Sequence, residues 1–160
     1  ILEEALRNDI HIETSSAYDI NIIEKLTEKG VFSKDQYIVC NGYKLPQYVN
    51  NIARLVENGY KNVIPVLDNV AEINLVKEAI TKNIKLGIRI AREEAPKFDF
   101  YTSRLGIGYK DILPFYKKEL KGSKNLELKM LHFFINTGIA DTSYYWSELA
   151  KCVKVYCDLK

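Results

Sequence analysis

Five short apolar runs, separated by amphipathic stretches, constrain this chain more than any other feature. The runs are "DIHIE" (9–13), "QYIVC" (36–40), "NVIPVL" (62–67), "KLGIRIA" (85–91) and "LKMLHFFI" (128–135). Between them lie "AYDINIIEKLTEKG", "LPQYVNNIARLVENG", "NVAEINLVKEAITKN" and "YKDILPFYKKELKG". Each of these stretches repeats apolar residues at i, i+3, i+4 and i+7, which gives a helix one buried stripe. They close on Gly30, Gly59, Asn83 and Gly122, residue types that end helices by turning left-handed. The runs are rich in β-branched residues and nearly continuous in hydrophobicity, as strands buried on both faces require. Strands alternating with helices predict parallel pairing and right-handed crossovers. The expected fold is therefore α/β, with about five βα units.

Two architectures satisfy that pattern: an open five-stranded sheet, or part of a (β/α)8 barrel. The chain opens on "ILEEALRND", inside a helical pattern and without an initiating Met. That favours a barrel segment, with residues 1–160 as its central portion. A length of 160 residues suits one domain or a piece of one. With 47% hydrophobic residues and four prolines, the chain has a composition suited to a packed core rather than to disorder. The net charge is +2 with no basic stripe, which argues against a nucleic-acid partner. No apolar run reaches membrane-spanning length, so no membrane role is expected. Cys40, Cys152 and Cys157 form neither a CxxC pair nor a disulfide pattern, which points to a reducing cytoplasm.

Function in parallel α/β folds gathers at the carboxyl ends of the strands. Those ends supply Glu13, Ser15 and Ser16, then Asn41, then Asp68 and Asn69, then Arg89, and last His132, Asn136 and Thr137. Each has a plain structural alternative. Ser16 and Asp19 suit the cap of one helix, and Asp68 and Asn69 suit another. Arg89 could form an internal ion pair with Glu13, and His132 could be a hydrogen-bonded core residue. Convergence of all five ends on one face favours a site. "GIGYKD" has Asp111 where a dinucleotide fingerprint needs its third glycine, and no apolar run precedes it. Two isolated histidines make a zinc site improbable, and no metal ligands are assigned. Cys40 stands at a strand end, but nothing pairs it with His132 as a nucleophile. Tyr144, Tyr145 and Trp146 suit packing better than a stacking platform.

Taken together, "HIETSSAYDI", "IVCNGYKLPQYVNNI", "NVIPVLDN", "GIRIAREE", "FYTSRLGI" and "KMLHFFINTGIADTSYYW" resemble the biosynthetic arginine decarboxylases. These are pyridoxal-phosphate enzymes on an alanine-racemase-like barrel, and the resemblance runs in order along nearly the whole chain. It implies decarboxylation of L-arginine to agmatine in polyamine (spermidine) biosynthesis, by a cytoplasmic homo-oligomer, with pyridoxal phosphate as cofactor and Mg2+ as an added ion. By resemblance, His132 lies against the cofactor ring, and Glu13 and Asp19 order the cofactor end of the barrel. Arg89 and Arg104 belong in or near its mouth, and Asn136 or Thr137 meets the phosphate. The chain departs from the family after His132, where "HFFINTG" is longer than the usual "HxGS"-like turn. The resemblance puts the cofactor-bonding lysine before Ile1 and a glycine-rich phosphate loop after Lys160. Lys44, Lys110 and Lys129 do not match that lysine, and the segment alone is expected to be inactive. Two alternatives stand beside this reading. One is a decarboxylase for ornithine, lysine or diaminopimelate. The other is a non-enzymatic open-sheet signalling module in which Asp68 accepts a phosphoryl group.

Overall fold

A computed structural model describes residues 1–91, 105–134 and 142–160. The elements are α1 (Leu2–Leu6), β1 (Ile12–Thr14), α2 (Ala17–Glu28), β2 (Tyr37–Cys40), α3 (Pro46–Glu57), β3 (Asn62–Leu67) and α4 (Glu72–Ala79). They continue with β4 (Ile84–Ala91), β5 (Ile107–Gly108), α5 (Tyr109–Phe115), a π-helical turn (Tyr116–Leu120), β6 (Leu126–His132) and α6 (Thr142–Leu159). All pairings are parallel. β1 to β4 lie side by side in chain order, and β4 then pairs with both β5 and β6. Strands joined through helices can close no tighter connection than this crossover.

Residue parity divides the sheet into two faces. Ile38, Cys40, Leu67, Leu86 and Ile88 point outward and join one buried cluster with Ile20, Ile23, Ile52, Leu55, Ile73, Val76 and Ile112 of the helices. Each such side chain contributes roughly 1.5–3 kcal/mol when fully buried. α2 earns its place by burying Ala17, Ile20, Ile23 and Leu26 at helical spacing. α3 starts with Pro46, whose fixed φ suits a first turn, and buries Tyr48, Val49, Ile52 and Leu55. The opposite, inner face carries Val39, Asn41, Ile64, Val66, Asp68, Gly87, Arg89, Met130 and His132, by alternation and by register across the ladder.

One irregularity matters for that inner face. Leu86 pairs with Leu128, yet the next β4 residue, Gly87, pairs with Met130, so Lys129 is an extra residue in β6. The bulge shifts the parity of everything after it. Leu131 and Phe133 then pack on the outer cluster, and His132 stands beside Arg89.

Several expectations need correction. "GIGY" is preceded by no long run, but Ile107–Gly108 does form a short strand, so the described residues form six strands rather than five. Gly30, Gly59 and Gly122 have φ values of 70°, 83° and 84°, as left-handed terminators should. Asn83 does not share this role: α4 ends at Ala79, and Ile80 is already extended. The last stretch before β6 is not one regular helix. Pro114 lies inside α5 and removes a backbone donor, and the chain continues as the π-helical turn. Among the described residues, no helix is long and apolar enough to cross a membrane.

Among the described residues, β1 has only β2 beside it, and β6 has only β4. Such open edges recruit other chains. The 160-residue chain is therefore expected to self-associate in a concentration-dependent manner by light scattering. A monodisperse monomer from micromolar to hundreds of micromolar concentration would contradict the open edges.

Candidate active site

The carboxyl ends of β1 to β4 and β6 bring Glu13, Asn41, Asp68, Arg89 and His132 to one end of the inner face. The ends are held together by backbone-level contacts. The Tyr48 hydroxyl donates to the Thr14 carbonyl at 3.0 Å and bonds the Thr14 hydroxyl at 2.7 Å, which ties α3 to β1. Gly42 approaches Ser15 so closely that a Cβ there would lie 2.1 Å from the Ser15 carbonyl oxygen. Only glycine permits that contact between the β1–α2 and β2–α3 loops.

Asn41 joins two of the site residues. Its amide nitrogen donates to Glu13 Oε1 at 2.8 Å and lies 3.3 Å from His132 Nε2. On the other side, Arg89 Nη1 is 3.5 Å from Asp68 Oδ1, and its guanidinium lies over the Phe134 ring at 5.9 Å. The partner of Arg89 is thus Asp68, not Glu13. Burial depresses the His132 pKa. Arg89 pushes the same way, while Glu13 and Asp68 pull against it. The imidazole is accordingly neutral near pH 7.

A second network lies just behind. Lys44 is buried, and its ammonium donates to the carbonyls of Gly42 and Val66. Glu72 is buried too. Its carboxylate accepts the Lys44 backbone N–H at 3.0 Å and the Asp68 backbone N–H at 2.8 Å. Burial lowers the Lys44 pKa, against the opposing charges of Glu72 and Asp68. Burial also raises that of Glu72. The Gly106 N–H closes the group from above by donating to the Asp68 carbonyl at 2.8 Å.

The remaining sequence candidates distribute as follows. Asp19 caps α2: its Oδ2 accepts the backbone N–H groups of Ser15 at 2.8 Å and Ser16 at 2.9 Å. Burial acts to raise its pKa, but these bonds outweigh it and leave the carboxyl below its ordinary value. Asn69 likewise accepts from Ala71 and Glu72 at the start of α4. Cys40 faces outward with Ile38, away from His132, and burial pushes its thiol up to about 11. It is no nucleophile for this face. Tyr145 packs against Phe133 with ring centroids 6.2 Å apart, whereas Trp146 is 62% exposed. Asn136, Thr137 and Arg104 lie outside the described residues. Among the described residues no group of His, Cys, Asp or Glu could hold a metal ion. Sequence reasoning names Asn41 only as one polar strand end and misses its bridging role. The parity of β2, which puts Tyr37, Val39 and Asn41 on Glu13's side, would have shown it. Nothing local signals the Lys44–Glu72 contact, which joins residues 28 apart.

Three buried polar atoms find no partner among the described residues: Asn41 Oδ1, Asp68 Oδ2 and His132 Nδ1. Buried polar groups are normally hydrogen-bonded. Two oxygens and an imidazole nitrogen on one strand-end face therefore suit a polar ligand.

No protein-family model matches the chain. It is 31% identical over 132 residues to a biosynthetic arginine decarboxylase of Vibrio cholerae, covering 77% of this chain and 20% of that protein. It is 28% identical over 160 residues to the biosynthetic arginine decarboxylase of Prochlorococcus marinus, covering 94% and 24% respectively. Arginine decarboxylase 2 of Arabidopsis thaliana is 29% identical over 157 residues, covering 92% and 22%. The chain thus spans about a fifth to a quarter of the length of the curated relatives it matches. Among solved structures, lysine decarboxylase of Selenomonas ruminantium superposes with a TM-score of 0.72 at 18% identity, over 99% of this chain and 39% of that one. Alanine racemase of Clostridium difficile 630 gives 0.64 at 9% identity, over 99% and 40%. By sequence the chain resembles one stretch of the biosynthetic arginine decarboxylases, and by fold it is an open piece of the barrel of lysine decarboxylase and alanine racemase.

Proposed function

We propose that this strand-end face is part of the pyridoxal-phosphate site of an enzyme that decarboxylates L-arginine to agmatine for polyamine synthesis. The supporting observation is the convergence of Glu13, Asn41, Asp68, Arg89 and His132, with three unpartnered buried atoms, in a chain similar to arginine decarboxylases. Bound pyridoxal phosphate supplies an electron sink for the pair left behind when the substrate carboxylate departs. The chain's own residues hold and orient. His132 offers a planar, neutral ring for stacking, while the Asp68–Arg89 pair fixes the charge beside it. Glu13 orients Asn41. Asn136 or Thr137 would meet the phosphate, and Asp19 serves the site indirectly by fixing the loop after Glu13. We assign no role to Mg2+. A cytoplasmic homo-oligomer is the expected setting.

The test uses the full-length enzyme. It is expected to release carbon dioxide from L-arginine faster than from ornithine, lysine or diaminopimelate. His132→Ala should weaken pyridoxal-phosphate affinity about 2- to 10-fold, the size of one aromatic stacking contact, with little change in melting temperature. Unchanged affinity together with a large loss of stability would reduce His132 to a core residue. Absence of any decarboxylation would remove the enzyme reading.

A further inference from the structure

Glu13 and Asn41 determine what His132 can offer. The distances place the Asn41 amide nitrogen between a carboxylate oxygen at 2.8 Å and the His132 Nε2 at 3.3 Å. A carboxylate only accepts hydrogen bonds, so the Asn41 NH2 group, not its carbonyl, must face Glu13. Its second hydrogen is then directed to His132 Nε2, which must act as acceptor. A neutral imidazole that accepts at one nitrogen carries its proton on the other. That other nitrogen, Nδ1, is the buried atom without a partner.

We infer that Asn41 is a positioning residue: held by Glu13, its carboxamide fixes His132 in the tautomer protonated at Nδ1 and aims that N–H, as a donor, at an oxygen acceptor of the ligand bound on the inner face. The relay also opposes protonation of His132. A proton on Nε2 would meet the Asn41 NH2, and turning the amide to accept it would set the Asn41 carbonyl against the Glu13 carboxylate. Besides Glu13 on β1, the charged groups acting on the ring are Asp68 on β3 and Arg89 on β4. Their signs oppose, leaving the Asn41 contact as the element that selects between the two nitrogens. The inference rests on this chain's own hydrogen bonds and stands whether or not the ligand is pyridoxal phosphate.

The experiment is 15N NMR of the chain labelled at histidine, in solution or as a sediment, with His11→Ala to assign the two rings. The wild-type His132 is expected to show a protonated Nδ1 and an unprotonated Nε2 near pH 7, the reverse of the tautomer that free histidine favours. Asn41→Asp replaces the donor with an acceptor. It should switch His132 to Nε2-protonated or doubly protonated and move its titration to higher pH. Glu13→Gln can present either end of its amide to Asn41, so it should leave a mixture. Nε2 protonation in the wild type would overturn the inference. So would an unchanged tautomer in a folded Asn41→Asp chain. If Asn41→Asp fails to fold, the wild-type spectrum and Glu13→Gln still decide.

Discussion

Glu72→Ala is expected to lower the unfolding free energy by about 2–5 kcal/mol, because two buried backbone N–H groups are left without their acceptor at roughly 1–3 kcal/mol each. Two losses combine. The backbone N–H groups of Lys44 and Asp68 lose their acceptor, and the buried Lys44 ammonium loses a carboxylate that helps keep it charged. The penalty should depend on pH with a definite sign. Lys44 already titrates below its ordinary value because of burial, and without Glu72 it titrates lower still. The folded variant then binds fewer protons than the unfolded chain between that depressed value and the ordinary lysine range, so its stability rises with pH there. Urea unfolding at pH 7 and at pH 9.5 should show the gap to the parent narrowing at the higher pH. A loss below about 1 kcal/mol at pH 7 would mean that this network carries little of the fold, whatever its burial.

Gly42→Ala is the second large effect, and its origin is steric. The added methyl would sit 2.1 Å from the Ser15 carbonyl oxygen and 2.7 Å from the carbonyl carbon. Both are backbone atoms, which no side-chain rotation can move away. Overpacking of this kind costs about 1–3 kcal/mol, and the upper end is expected because the two loops must separate. Separation also strains the Lys44 bond to the Gly42 carbonyl and pulls Glu13 away from Asn41. Gly30→Ala makes a useful comparison. Open space surrounds it, but its φ is +70°, so it should lose about 1–2 kcal/mol from backbone strain alone. Both variants should therefore melt early in thermal scans. Only Gly42→Ala should also change the His132 spectrum. If both left it untouched, the loop contact would not be what sets the site.

Much of this arrangement is legible in the sequence because its causes are local or periodic. The β-branched runs and helical stripes give the order of elements. The polar residues after each run give the strand-end face, down to Asp68, Arg89 and His132. Capping by Asp19 and Asn69 is also readable, since both bond backbone groups within four residues. What escapes is whatever depends on two distant strands meeting. Arg89 has two acidic candidates in the sequence, and only the register of β3 with β4 selects Asp68 over Glu13. The buried Lys44 reads as one more surface lysine until the β2–α3 loop is seen folded beneath the end of β3. Asn83 fails for the opposite reason. It has the right residue type, but α4 ends four residues before it, at Ala79.

The extra residue in β6 has a consequence for how such strands are counted. From Leu126, strict every-other-residue counting assigns Leu126, Leu128, Met130 and His132 to a single side. Leu126 and Leu128 belong to the outer cluster, so the count would deliver the histidine into oil. Lys129 is a single added step that the bulge takes up locally, so every later side chain keeps the layer of its β4 partner. The identity of Lys129 matters little, but the bulge that takes it up is indispensable. Deleting Lys129 would leave Leu128, Met130, Leu131 and His132 in plain alternation on the register they already hold, with His132 still inward. Straightening the bulge with Lys129 kept would instead turn His132 toward the helices and send Leu131 into the mouth. At this position the chain directs its chemistry by where the backbone bulges rather than by which residue stands there.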